Sequence, residues 1–191
     1  MKVLSKRFYL GSMVGAEVGG VIVLLVAAIL LVVSGIFTNF ILNLSYAGTW
    51  PLIIFTVLVL VGIAAILYGA SIWYVLLYKA WATIQDGHAG TTPEKAVGFI
   101  FIPFFNFYWI FKVWHGFAAD YNRYILRHNL TLSRMKEGLF LAFSILFIGV
   151  SLPVLIYIAG LPFLVILAMT SNKAIDGING IIAVRQSATE V

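Results

Sequence analysis

Between Glu17 and Lys79 no side chain carries a charge. Residues 18–78 form an apolar run of 61 residues, and a second charge-free run extends from Gly138 to Asn172. About 20 apolar residues suffice to carry a helix across the hydrocarbon core of a bilayer, so the first run is long enough for two crossings. It predicts one helix over about Val14–Phe37 and a second over about Pro51–Tyr78. Trp50, Trp73, Tyr74 and Tyr78 fall near the two interfaces, where amphipathic rings prefer to sit. The uncharged connection Thr38–Trp50 is expected on the outer side.

The second run needs a break. As one helix, the 34 residues from Gly138 to Ser171 would reach about 50 Å, well beyond a bilayer core. Ala159, Gly160, Leu161 and Pro162 supply a turn signal, because Gly relaxes the backbone and Pro opens a helix more readily than it continues one. A third helix is therefore expected over about Ser133–Ile158 and a fourth over about Pro162–Ala183. The competing arrangement keeps this run as a single kinked helix, giving three spans and placing the C-terminus on the opposite face.

The expected fold is an all-α polytopic membrane protein with four transmembrane helices arranged as two hairpins. An aromatic-rich interfacial or re-entrant helical segment joins them. The whole chain, 1–191, then forms one membrane domain, divided as 1–78, 79–132 and 133–191. Composition agrees, since a chain that is 62% hydrophobic and 10% charged has more apolar surface than a soluble core of this size would hide.

Charge supplies the orientation. Lys2, Lys6 and Arg7 precede the first run; Lys79, Lys95, Lys112, Arg123, Arg127, Arg134 and Lys136 lie between the runs; Lys173 and Arg185 follow. Loops rich in Lys and Arg stay cytoplasmic, so both termini and the central segment are expected inside. The apolar region after the basic N-terminus is too long for a secretory leader and reads as an uncleaved anchor. The net charge of +5 serves orientation and anionic headgroups rather than nucleic acid, because too few basic residues share one face.

The central segment is the most distinctive. Twelve of the 29 aromatic residues lie between Phe99 and Tyr124, which marks this stretch for the membrane interface. Thr92, Pro93 and Glu94 read as a helix start, and Pro103 should interrupt that helix. Beyond it, Lys112, His115, Ala119, Arg123 and Arg127 form one face, with Phe107, Phe111, Trp114, Ala118, Tyr121 and Ile125 on another. Such a helix lies in the headgroup plane.

The stretch from Trp81, Ile84, Gln85, Asp86 and Gly87 through Thr92, Pro93, Ala96, Val97, Gly98 and Phe99 to the run FIPFFNFYW (101–109) resembles a segment of small, uncharacterised bacterial polytopic membrane proteins. The resemblance covers about 30 residues and implies a bacterial inner-membrane protein. It carries over no activity, substrate or catalytic residue.

Candidate functional residues fall into three groups. Gly11, Gly15 and Gly19 recur every fourth position and would let another helix approach closely, within the monomer or from a second copy. Glu17 is the one acid near the start of a span. With Lys173 and Asp176 of the last span it forms a candidate set of intramembrane charges. Its plainer placement is interfacial, beside Lys2, Lys6 or Arg7, and Lys173 is expected to snorkel and pair with Asp176. Phe104, Phe105, Asn106, Trp109, Lys112, Trp114, His115 and Arg123 are the expected contacts to lipid or a partner protein.

No cofactor, metal site or catalytic residue is expected: the three histidines show no paired spacing, Cys is absent, and no P-loop, nucleophile elbow or dinucleotide fingerprint is present. The leading expectation is a non-enzymatic scaffold or accessory subunit in contact with membrane lipids and a partner protein or a second copy. The alternative is a small transporter or channel using Glu17 and the polar end of the last span, Asn172, Lys173, Asp176 and Asn179.

Overall fold

The computed structural model describes residues 2–37, 50–152 and 154–189. Every regular element among them is helical. α1 runs Lys6–Phe37 and α2 runs Trp50–Thr83. Both start earlier or end later than the apolar pattern alone predicts. For α1 the reason is local: Ser5 Oγ accepts the Phe8 amide at 3.3 Å, a hydroxyl cap ahead of the apolar run. The connection at 38–49, expected on the outer side, lies outside the described residues.

Three helices are long and apolar enough to cross a membrane, Lys6–Val33, Ile53–Thr83 and Ile158–Thr189. The chain divides into two compact units, Gly11–Ile72 and a second made of residues 1–10 with 73–191. In the first, α1 and α2 close on glycine. A Cβ at Gly20 would stand 2.7 Å from Ile66 Cγ1 and 2.8 Å from the Gly62 carbonyl oxygen, and one at Gly62 would stand 2.8 Å from the Leu24 side chain. Without a hydrophobic drive inside lipid, such backbone approach is what holds two helices together.

The second unit is built around aromatic rings. Thr92 caps α3 (Pro93–Gly98) through Lys95 N, with Pro93 in the first turn and Glu94 beside it, as the local sequence predicts. A short 3₁₀ turn, Phe99–Phe101, leads to the interruption at Pro103. α4 (Phe105–Ile110) then continues through a π-helical turn, Phe111–His115, into α5 (Gly116–Arg127). Trp114, Phe117 and Tyr121 are buried on this rod. Trp81 of α2 donates from Nε1 to the Val113 carbonyl at 2.9 Å. Trp114 sits against Trp73 at 5.4 Å, Phe140 at 5.4 Å and Phe143 at 5.7 Å between ring centroids. These offset and tilted pairs are the geometry aromatic quadrupoles favour.

The last two helices differ from expectation. α6 is Glu137–Ser151 and α7 is Ile156–Thr189, so the break falls seven residues before Ala159–Pro162, and the expected helices 133–158 and 162–183 are corrected accordingly. Leu152 precedes Pro153 in the sequence, and the residue before a proline is pushed out of the helical region; Leu152 has φ −102 and ψ 122. Pro162 is carried inside α7 instead. α6 and α7 run antiparallel, with Gly149 opposite Ala159, where an added Cβ would be 3.0 Å from the Ala159 Cβ. Phe143 packs on Phe163 at 5.2 Å. With 15 residues, α6 reaches about 22 Å, short of a hydrocarbon core of about 30 Å.

Two substitutions separate the packed glycine from the open ones. Gly20→Leu should destabilise the protein by about 1–3 kcal/mol through overpacking. Gly15→Leu, at a position where a Cβ meets nothing within 4 Å, should be neutral within about 1 kcal/mol. Unfolding by titrated denaturing detergent in mixed micelles measures both.

Candidate functional site

The charged residues of the second unit gather into a collar of ties between elements. Asp86 stands in the turn that ends α2, made possible by Gly87 at φ +84. Its carboxylate accepts the His88 amide at 3.0 Å, Arg127 Nη2 at 2.7 Å and Nε at 3.1 Å, and lies 3.2 Å from His128 Nε2. The end of α2 is thereby clasped to the last turn of α5. Desolvation pushes the Asp86 carboxyl up, but the hydrogen bonds from Arg127, the His88 amide and His128, with the Arg127 charge, outweigh it and hold the group down at about 2.

Other groups work the same way. Asp120 accepts the Gly90 amide at 2.7 Å and pairs with Arg123, one of the expected contact residues. Gly90 has no room for a side chain there, since a Cβ would stand 2.8 Å from Asp120 Oδ2. Asn122 bonds both the amide and the carbonyl of Met135, at 2.8 and 2.9 Å, fixing the extended entry to α6. Arg185 of α7 donates to the Thr83 carbonyl and the Tyr124 hydroxyl, each at 2.8 Å.

The N-terminal residues join this collar. Asn179 accepts from Leu4 N at 2.7 Å and donates to Leu4 O at 2.9 Å. Lys79 donates to the Tyr9 hydroxyl at 2.6 Å. Asp176 pairs with Lys6, not with Lys173 as expected. Lys173 lies exposed on α7. An i, i+3 pair on a helix shares a face, so positions 176 and 179 meet the same N-terminal stretch, Leu4 to Lys6.

The remaining candidates divide by exposure. Gly11, Gly15 and Gly19 all face open space among the described residues; an added Cβ at each meets none of them within 4 Å. Glu17 has no hydrogen bond or ion pair among the described residues, and its carboxylate packs on Gly69 of α2, 3.1 Å from where a Cβ would be. Trp109 and Trp114 lie inside the core, Trp109 donating from Nε1 to the Ala96 carbonyl at 3.2 Å. Lys112 is exposed, and His115 closes the π-helical turn half-buried. Phe104 and Phe105 are exposed, and Asn106 is half-buried with Oδ1 lacking a partner.

Sequence reasoning missed Phe101, Ile102 and Tyr108, which are exposed like Phe104. It also missed Ile110, Val113 and Phe117 as core. The π-helical turn adds a residue to one turn and shifts which side chains face inward, so an unbroken 3.6-residue wheel assigns them to the wrong side. Among the described residues no three His, Asp or Glu side chains stand together as a metal site needs. No family model, curated protein or solved structure matches the chain.

The Asp86 clasp has a defined pH signature. A carboxyl lowered from 3.8 to about 2 on folding stabilises the fold at every pH above its unfolded value, and that contribution disappears as pH falls from about 4 to about 2. Asp86→Asn should cost about 1 kcal/mol at pH 7, the solvent-open partners screening the rest. Thermal melts in detergent should show the difference from wild type at pH 7 and most of it gone at pH 2.

Proposed function

We propose that the protein is a multi-pass component of the bacterial inner membrane that acts as a non-enzymatic scaffold or accessory subunit, offering surfaces to lipids and to a partner protein or a second copy. The observation that carries this reading is a division of labour. The acids and amides of the collar are consumed in holding elements together, while the glycine stripe of α1 and the aromatic edge at Phe104 are left open. Chemistry needs polar groups that are free to act, and association needs open, closely approachable surface.

The proposed topology has four crossings, α6 being a short one, with both termini and the central interfacial or re-entrant segment on the cytoplasmic side. It is supported by the bonds from Leu4 and Lys6 to Asn179 and Asp176, because residues in contact with the N-terminus share its side of the membrane. An even number of crossings agrees with those contacts. The excess of Lys and Arg in the same segments supplies the orientation.

Native mass spectrometry after extraction in mild detergent tests the scaffold reading. A reproducible partner, second copy or retained lipid is expected, with protein association weakened at least tenfold by Gly15→Leu, equal to about 1.4 kcal/mol. A lone monomer free of lipid contradicts it.

One observation favours a second reading as a transporter or channel: Glu17 is a carboxylate within a span with no partner among the described residues, and such groups mark ion or proton paths. The other expected half of that path is weaker, since Asp176 and Asn179 are engaged with Lys6 and Leu4. Proton or cation flux into proteoliposomes that falls severalfold in Glu17→Gln would establish it; flux equal to empty vesicles would end it.

A further inference from the structure

Helix α3 begins beside the end of α2, where the Tyr78 hydroxyl donates to Glu94 Oε1 at 3.1 Å. By Phe101 the chain lies on Tyr74, with ring centroids 5.0 Å apart, one turn earlier along α2. The segment therefore runs back toward the middle of the apolar span before α4 and α5 return it to Thr83 and Tyr124. Tyr74 lies in the last third of the apolar stretch Ile53–Thr83. The turn that follows Phe101 therefore stands beside the closing turns of α2.

The turn has an unusual conformation. Phe105 N donates to the Pro103 carbonyl at 2.7 Å across Phe104, which has φ 63 and ψ −37. This is a γ-turn of the positive-φ kind, a strained form, held by a bulky aromatic residue rather than Gly or Asn. Strain of this type persists where surrounding structure enforces it, and it concentrates at functional segments. The support is visible: Phe105 stacks on Trp109 at 5.5 Å, and Trp109 is anchored to the Ala96 carbonyl.

The result of the strain is to push Phe104 outward to 84% exposure, with Phe101, Ile102 and Tyr108 exposed around it. Large apolar and aromatic side chains exposed so close together in sequence are a liability in water and at home among acyl chains and headgroups. Lys95 and Lys112, on either side of this stretch in sequence, are exposed and suit anionic headgroups. The stretch also adjoins, through Phe101 on Tyr74, a helix long and apolar enough to cross the membrane.

We propose that residues 99–105 form a pre-organised aromatic wedge that inserts into the headgroup–acyl boundary of the bilayer, on the side that holds the end of α2, with lipid as its occupant. The inference rests on the protein being membrane-embedded, and its test separates the two. The chain contains no Cys, so single cysteines can be placed without background. Nitroxide labels at Phe104→Cys and Phe101→Cys, with Ile63→Cys as a mid-span reference and His88→Cys as a water-exposed one, are read by collision with oxygen and with an aqueous nickel chelate. The protein is reconstituted in phosphatidylethanolamine and phosphatidylglycerol vesicles.

Labels at 104 and 101 should collide severalfold less with nickel than the label at 88, and readily with oxygen, as at 63. If 63 is in lipid while 104 and 101 behave like 88, the wedge is wrong and the membrane reading stands. Protection of 104 and 101 from both reagents means that protein covers the turn, which overturns lipid as its occupant. Nickel access at 63 overturns the membrane reading itself.

Discussion

A bilayer core offers no partner to a charge or to an unpaired backbone amide, and that exclusion governs where the ionic groups of this chain stand. Its effect shows in the pairs. Asp86 is met by Arg127 and His128, Asp120 by Arg123 and a backbone amide, and Asp176 by Lys6. Each pair links segments far apart in sequence or neighbouring turns of α5, so the groups that must avoid lipid double as the ties of the second unit. Exposed ion pairs contribute little individually. Their weight here lies in direction, because they determine which ends of which helices come together. The buried rings of Trp81, Trp114, Phe117, Phe140 and Phe143 fill the middle of the second unit, where close ring packing holds the elements together.

Much of this was legible in the sequence, for reasons that differ by element. Two charge-free runs and the Thr92–Pro93–Glu94 cap are local patterns, and local patterns translate directly into helix and helix start. The amphipathic period of α5 was equally plain, with Arg123 and Arg127 on the exposed side. The break between α6 and α7 was misplaced because the chain has two proline sites, at 153 and 162, and the one at 162 is carried inside α7. Nothing in the local sequence ranks them. The π-helical turn at Phe111–His115 was invisible for a similar reason, being a response to packing rather than a propensity.

The candidate site was less legible than the fold. Listing aromatic residues by position cannot tell Trp114, at the centre of the core, from Phe104, which stands outside it. The sign of an aromatic residue's role depends on which way the turn at Pro103 points it. The pairing of Asp176 was missed because its partner is distant in sequence, whereas the expected Lys173 is near. Among the glycines, the regular stripe at 11, 15 and 19 drew attention by its spacing, yet the approach between α1 and α2 uses Gly20 and Gly62. That division leaves an open small-residue face on one helix and, elsewhere, a strained turn that holds Phe104 exposed.

The central claim is that the chain returns to the side on which it started, its collar of charges gathered there. Accessibility of single cysteines to a membrane-impermeant maleimide in intact bacterial cells measures this directly. With His88→Cys and Ser187→Cys, the account predicts that neither position is labelled until the membrane is permeabilised. Labelling of position 187 in intact cells while position 88 remains protected would contradict it.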